Sequence, residues 1–309
     1  MEKFVVSNPP FIRSGNDINK MFLYLSVALL VPAVYGVMFF GLQAIIPILV
    51  SLACCFLFEC LFNLITKKQF VVKNLSFFVT GMILALTMPY KVPFYIVIAA
   101  AFVAIFITKM SFGGLGRNKF NPALVGRCFA GLISTGFISE LYNVTINGEK
   151  YVSLAVGGTN TLSNLLLGQA VGGIGTTCVL VILVCFVFLV YGGVVDFKIP
   201  FFSILSYFVV GVISNSIETT LINMFSGSFI FISVFMLPDP NTSPNTNLGK
   251  LIYSCLFGAL SALVWKVGGM GESSLYAVAL LVNVIVPFMD KYFIWRPISL
   301  GGFRNAYKN

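Results

Sequence analysis

The chain of 309 residues contains no histidine. Haem held between imidazoles and any histidine-built metal site are therefore excluded. Redox or catalytic work must rest on a bound organic group or on other side chains. Charge is scarce too, since 9% of residues are charged and 58% are apolar. A soluble protein of this size has to solvate its outside and rarely carries so few charges. A cleavable signal is missing as well. Met1 to Lys20 is polar, with Pro9, Pro10, Arg13, Gly15 and Asp17, and has no short apolar core or small-residue cleavage site. Seven cysteines lie in or beside apolar blocks and form no CxxC pair. They read as thiols packing as small apolar groups. An iron centre shared with cysteines of another chain is the other reading.

What is present is a series of apolar blocks near the roughly 20 residues that a helix needs to cross a bilayer. The expected fold class is all-α: a polytopic helical bundle of about ten transmembrane helices forming one integral membrane domain over 1–309. Spans are expected near 21–40, 43–65, 75–90, 93–109, 123–139, 172–193, 200–216, 219–237, 251–266 and 274–290. A cytoplasmic leader at 1–20 and a cytoplasmic tail at 291–309 follow from the charge. With the N-terminus inside, sixteen Lys and Arg fall on the cytoplasmic side, and only Lys91, Lys150 and Lys266 fall outside. The net charge of +9 thus follows the membrane and is not read as a nucleic-acid surface. The longest outer segment, 140–167, is rich in Gly, Thr, Asn and Ser. Loops of that length are usually functional or disordered.

Anionic side chains are few. Glu59 lies in the second apolar block, where a carboxylate is a functional candidate by default. It is an ion-path candidate, or else it pairs with a cytoplasmic lysine. Glycines near 80–89 and 211–216 mark interrupted helices that either line a site or pack tightly. There is also an internal echo. Asn118–Arg127 and Pro240–Lys250 both place Asn-Pro or Ser-Pro shortly before Gly-Arg or Gly-Lys, four helices apart. A duplicated bundle in one orientation accounts for it, as does the aromatic bias of membrane interfaces.

Lys109 to Arg127 is the most distinctive run. Gly113, Gly114 and Gly116 permit positive φ and close backbone approach, Arg117 and Lys119 add charge, and Asn121-Pro122 opens a helix. This run is either a phosphate cradle or a tight basic turn at the headgroups. It is not a Walker or dinucleotide motif, because no strand precedes it and the glycine spacing differs. The second loop, Met236 to Lys250, holds three prolines beside Asp239, Thr242 and Ser243. Rigid proline turns carrying short polar side chains suit either a polar ligand or a capped helix start.

These two loops, with the opening Ser7-Asn8-Pro9-Pro10-Phe11-Ile12-Arg13-Ser14-Gly15, resemble the RnfD component of the Rnf complex. That complex is an ion-translocating ferredoxin:NAD oxidoreductase, related through this component to NqrB of Na+-translocating NADH:quinone oxidoreductase. The resemblance runs from about Ser7 to Pro287. It implies FMN bound covalently through a phosphoester to threonine on the outer side, and less directly a second flavin, riboflavin. The matching stretch is Ala155 to Leu162, with Thr159 the favoured attachment residue, Thr161 the alternative, and Gly157 and Gly158 giving the backbone close approach. This stretch lacks the leading hydroxyl of the family's Ser/Thr-Gly-Ala-Thr motif. Phe11 stands where family members commonly have histidine.

The resemblance implies further that Gly113, Gly114, Arg117 and Asn121, with Asp239, Thr242 and Ser243, serve riboflavin or the ion path. The implied function is membrane electron transfer coupled to Na+ or H+ transport, as one component of a translocase. No catalytic residue, resident metal, NAD site or ferredoxin site is expected on this chain. Its implied partners are the Rnf C, G, A, E and B type subunits and a flavin transferase. Its implied location is the bacterial inner (cytoplasmic) membrane, multi-pass, with both termini cytoplasmic. The alternatives are a channel or secondary transporter for a small polar solute without a redox cofactor, and a structural anchor.

Overall fold

The computed structural model describes residues 18–66, 75–114, 116, 118–134, 143–146, 149–152, 166–168, 172–225, 228–268 and 273–294. Eleven α-helices are described: α1 Ile18–Phe40, α2 Ile45–Ile65, α3 Ser76–Leu86, α4 Phe94–Phe102, α5 Pro122–Ile133, α6 Val179–Tyr191, α7 Lys198–Ser214, α8 Ile217–Phe225, α9 Ser228–Phe231, α10 Asn247–Gly268 and α11 Ser273–Ile294. The helical membrane bundle expected from composition is what the chain forms. Four helices among the described residues are long and apolar enough to cross a bilayer, and a fifth crossing arises if α8 and α9, bent by 60°, count as one broken span. Leu57, Val184, Val187, Ile213 and Phe288 all turn outward with at least 60% exposure, as a lipid-facing surface requires.

Several expected spans are shorter or more broken than apolar length suggests. The block 75–90 gives only α3, about 17 Å at 1.5 Å per residue. Met88 precedes Pro89, which disfavours helical backbone, and Thr87 closes the helix by donating its hydroxyl to the Leu84 carbonyl at 2.8 Å. In the block 172–193, helix begins only at Val179, after a run of turns. The block 219–237 divides into α8 and α9. The expected all-α class also needs one addition. Asn143–Ile146 and Glu149–Val152 pair as an antiparallel hairpin within the expected outer segment.

Two helices change winding before they end. α4 continues as a π-helix over Val103–Met110, and α9 as a π-helix over Ile232–Met236. The first is held by side chains that reach five residues back: the Thr108 hydroxyl donates to the Val103 carbonyl at 3.0 Å, and the Ser111 hydroxyl to Phe106 at 2.8 Å. Each π-helix ends at one of the two motif loops, so the internal echo in the sequence has a counterpart in backbone geometry. Such segments recur at functional sites.

Small residues set the helix spacing. A methyl at Gly258 of α10 would sit 2.2 Å from the Ser203 carbonyl oxygen of α7, and one at Gly126 of α5 would sit 2.7 Å from the Ala100 carbonyl of α4. Helices in lipid associate by such close packing, because lipid chains are as apolar as leucine.

Candidate functional site

The two motif loops meet at one end of the bundle, and Asn121 is the joint. Its side-chain oxygen accepts from the Ala123 and Leu124 amides at 3.1 and 3.3 Å, capping α5, with Pro122 in the first turn. Its side-chain amide donates to the Met236 carbonyl at 3.1 Å, where the second π-helix ends. Its main-chain N–H donates to Asn283 Oδ1 of α11 at 3.3 Å, and the Asn283 amide donates onward to the Thr242 carbonyl at 3.1 Å. One buried asparagine thus ties α5, the end of α9 and α11 together, and a second carries the chain of bonds into the other loop.

Asp239 organises that second loop. Its carboxylate accepts from the Asn241 amide at 3.2 Å and the Thr242 hydroxyl at 3.4 Å, while its carbonyl accepts from the Thr242 and Ser243 amides. Burial raises the Asp239 carboxyl above its usual range, against the two hydrogen bonds it accepts, which lower it. A cavity of about 40 Å³ lies between the loops, bordered by Thr80, Asn118, Asn121, Asp239 and Asn241, with Phe22 and Leu25 of α1 at its side. A space of this kind holds a water once it reaches roughly 10–15 Å³, so ordered water or a small cation fits between the loops.

The glycines of the first loop adopt the positive φ that their sequence permits: 111° at Gly113, 91° at Gly114 and 83° at Gly116. The Gly113 and Gly114 amides donate back to the Met110 and Lys109 carbonyls at 3.0 and 3.1 Å, closing the π-helix. Those two amides are therefore engaged in the turn itself. With its amide oriented to donate, Asn118 reaches the Gly114 and Lys109 carbonyls at 3.0 Å each. Lys109 is drawn inward. It is 1% exposed and pairs with Glu59 of α2 at 2.6 Å. A second pair, Lys250–Asp196 at 2.8 Å, links α10 to the turn before α7, where Lys198 also donates to Asn247 at 2.9 Å. Burial alone raises the Asp196 carboxyl, but the bond from Lys250, the Lys198 amide and both ammonium charges bring it below its usual range.

A second polar cluster lies towards the other end. Tyr35 and Gly36, near the end of α1, contact the chain ahead of α6 at two points: the Tyr35 hydroxyl donates to the Leu167 carbonyl, and Gly36 packs on Ile174. From Phe22 to Tyr35 is about 20 Å along the helix axis, so the two ends are well separated. Here the Ile174 and Gly175 amides donate to the Met88 and Leu86 carbonyls at 2.9 and 2.8 Å, joining the broken end of α3 to the turns before α6. Arg127, 2% exposed, donates from Nε to the Thr87 carbonyl at 3.0 Å and lies over the Tyr276 ring at 4.5 Å. The Tyr276 hydroxyl donates to Ser228 Oγ at 2.6 Å. The Thr177 and Ser273 hydroxyls are buried without a hydrogen-bond partner.

Of the residues singled out in the sequence, Asn121, Asp239 and Thr242 border or brace one cavity, Ser243 follows in the same turn, and Gly113 and Gly114 shape the adjoining loop. Glu59 is separate, paired to Lys109. Thr159, Thr161, Gly157, Gly158 and Arg117 lie outside the described residues. Sequence reasoning missed Asn283 and treated Arg127 only as an inside charge. Asn283 had a signal, since a polar residue more than two turns within an apolar helix is a functional candidate by default, whereas Arg127 lies less than two turns from either end of α5. No group of three or more Cys, Asp or Glu is placed to hold a metal among the described residues.

The NQR2, RnfD, RnfE family matches residues 5–299. The chain is similar to the D component of the proton-translocating ferredoxin:NAD(+) oxidoreductase complex of Clostridium ljungdahlii, at 27% identity over 96% of each chain. It is similar to the D component of the Na(+)-translocating ferredoxin:NAD(+) oxidoreductase complex of Acetobacterium woodii, at 28% identity over 93% of this chain and 92% of that one. A third relative, the D component of the ion-translocating oxidoreductase complex of Mannheimia succiniciproducens, is 26% identical over 94% of this chain and 96% of its own.

Proposed function

The chain belongs to the NQR2, RnfD, RnfE family, and from that premise we propose that it is the electron-transfer membrane component of an ion-translocating ferredoxin:NAD oxidoreductase, carrying covalent FMN. The observation that supports this most is the separation of two polar sites along α1. The motif loops border a small, partly open polar pocket beside Phe22 and Leu25, and the chain entering α6 packs on Tyr35 and Gly36 through Leu167 and Ile174. A redox group held near one face and an ion site near the other is the arrangement that coupling needs. The charge bias supports a reading in which the motif loops and both termini lie on the cytoplasmic side of a bacterial inner membrane and the Gly/Thr-rich segment lies outside.

FMN, esterified to Thr159 or alternatively Thr161, supplies one-electron exchange when bound. The buried hydroxyls of Thr177 and Ser273 are polar atoms at that end of the bundle for which a bound group would provide partners. NAD and ferredoxin are handled by the C, G, A, E and B type partners, and a flavin transferase makes the ester. Asp239, Asn121, Thr242 and Ser243 serve the coupling ion, with Glu59 and its partner Lys109 as a second station. The relatives' names include both proton and Na+ translocation, and a carboxylate with hydroxyls and amides serves either.

A denaturing gel viewed under ultraviolet light tests the assignment. Chain made together with the transferase gives a fluorescent band that Thr159→Ala abolishes, or Thr161→Ala if that residue carries the ester. A colourless band in the wild type overturns the flavin reading and favours a solute transporter or anchor. Glu59→Gln is expected to leave the band intact while slowing coupled ion uptake into vesicles severalfold. Unchanged uptake returns Glu59 to a structural role.

A further inference from the structure

Lys109 meets Glu59 from a segment wound as a π-helix. That segment, Val103–Met110, runs for 8 residues, longer than the single-turn bulges in which this winding usually occurs. Rewinding a turn of it as α-helix takes one residue out of register and rotates everything beyond by roughly 100°. Lys109 would then leave Glu59, and Phe106 would leave Phe62 of α2, whose ring it meets edge-on at 5.1 Å. Three side chains oppose the change. The Thr108 and Ser111 hydroxyls donate five residues back, to the Val103 and Phe106 carbonyls. That reach suits the five-residue step of a π-helix and not the four-residue step of an α-helix. Asn118, with its amide oriented to donate, holds the Lys109 carbonyl at 3.0 Å, beside the Gly114 amide at 3.1 Å. Asn118 also borders the pocket between the motif loops, as does Asn121, whose amide holds the Met236 carbonyl at the end of the second π-segment. Both π-segments are thus fastened near their ends by asparagine amides of one loop, on the wall of one pocket.

We propose that the winding of Val103–Met110 is a latch on the ion path, with Asn118 the positioning residue that ties it to the pocket. Wound as π, the segment locks Lys109 onto Glu59; wound as α, it frees the carboxyl. This deepens the reading of Glu59 and Lys109 as a second station for the coupling ion, and rests on it. The pair has no other neighbour to fix it, since Lys109 bonds to Glu59 alone through its side chain and to Asn118 and Gly114 through its carbonyl. A carboxylate stranded in apolar surroundings neutralises by taking a proton. A hydrophobic carbodiimide adds to the protonated form of a carboxyl and spares one held ionised by an ammonium, so labelling reads the state of the latch.

The test treats the full chain in membranes with a hydrophobic carbodiimide, and mass spectrometry reports the adduct on the α2 peptide. Glu59→Gln removes the signal and so identifies its source. Wild type is expected to label slowly. Thr108→Val deletes one five-residue bond with little change of shape and should raise the rate severalfold, while Thr108→Ser keeps the hydroxyl and the wild-type rate. Asn118→Ala should raise it as well. Ser111→Ala, at an exposed position, removes the second such bond without loss of packing and should do the same. Size exclusion confirms that each variant stays monodisperse. Wild-type labelling in Thr108→Val and Ser111→Ala overturns the latch, and wild-type labelling in Asn118→Ala overturns its tie to the pocket. Equal rises in Thr108→Ser and Thr108→Val also overturn it, because packing and not the bond is then the cause. The ion-path reading fails separately, if Glu59→Gln leaves ion uptake unchanged while labelling still follows residue 108.

Discussion

Replacing Asn121 tests whether one side chain couples the two motif loops. Asn121→Ala removes the α5 cap, a loss of about 0.5–2 kcal/mol. It also takes the donor from the buried Met236 carbonyl, and an unsatisfied buried acceptor costs about 1–3 kcal/mol. The Asn283 bond survives, because the main-chain N–H makes it. The two losses together come to about 1.5–5 kcal/mol, since both bonds are buried and neither has an obvious replacement. Asn121→Ser keeps a capping oxygen but not the reach to Met236, so it is expected to be less damaging by about 1 kcal/mol. Reversible unfolding in bicelles by titration with a denaturing detergent measures both variants against wild type. If Ala and Ser are equally harmless, within ~0.5 kcal/mol of wild type, the loops are not joined through this residue.

Gly258→Ala should be disruptive despite being small, because its methyl meets the Ser203 backbone at 2.2 Å and α7 must move away. The expected result is a large drop in monodisperse protein on fluorescence-detected size exclusion, whereas Ala259→Gly nearby should be mild. For Asp239 the sign runs opposite to the usual carboxylate. Burial raises its folded pKa, so the folded state holds the proton more tightly than the unfolded chain. The protonated form's advantage is complete below the ordinary carboxylate pKa and disappears as pH rises through the raised value. The thermal midpoint of wild type relative to Asp239→Asn should therefore fall over that window and level off above it. A flat difference would mean that Asp239 is not held in a desolvated position. Added Na+ that restores the wild-type midpoint at the high-pH end, and leaves Asp239→Asn unmoved, would mark the carboxylate as a cation ligand.

The membrane class, the helix start at Asn121 and the positive-φ glycines are legible in the sequence because each depends on local chemistry: apolar length, a capping side chain, a missing Cβ. The broken helices are only half legible. Glycines and prolines flag the regions, but the end of α3 at Leu86 depends on Pro89 together with amides arriving from Ile174 and Gly175, nearly ninety residues away. The hairpin is obscured by the Gly/Thr-rich stretch around it, although Asn147-Gly148 after the alternating run Asn143–Ile146 is a strong short-range hairpin signal. Asn283 is invisible as a site residue because nothing local says that it faces Asn121. The Glu59–Lys109 pair is one of two options that the sequence leaves open. Choosing between them needs the π-helix, which carries Lys109 inward.

The internal echo shows how one pattern can serve two ends. Each copy has a helix that turns into a π-segment, a loop, a polar cap and then Gly-Arg or Gly-Lys. The basic residues diverge: Lys250 pairs with Asp196 near the motif loops, while Arg127 points deeper, to Thr87 and Tyr276. A count of surface charge should therefore omit Arg127, and also Lys109, which Glu59 holds in the interior. Fourteen charges against three remain on the side expected to be cytoplasmic, so omitting these two leaves the expected orientation unchanged. Its strength comes from the leader, the Lys67–Lys73 loop and the tail. Reversing the orientation would thus require changing those segments, whereas Arg127→Gln should leave topology intact. Cysteine-accessibility labelling checks this, and an inverted Arg127→Gln chain would return that arginine to the set of topogenic charges.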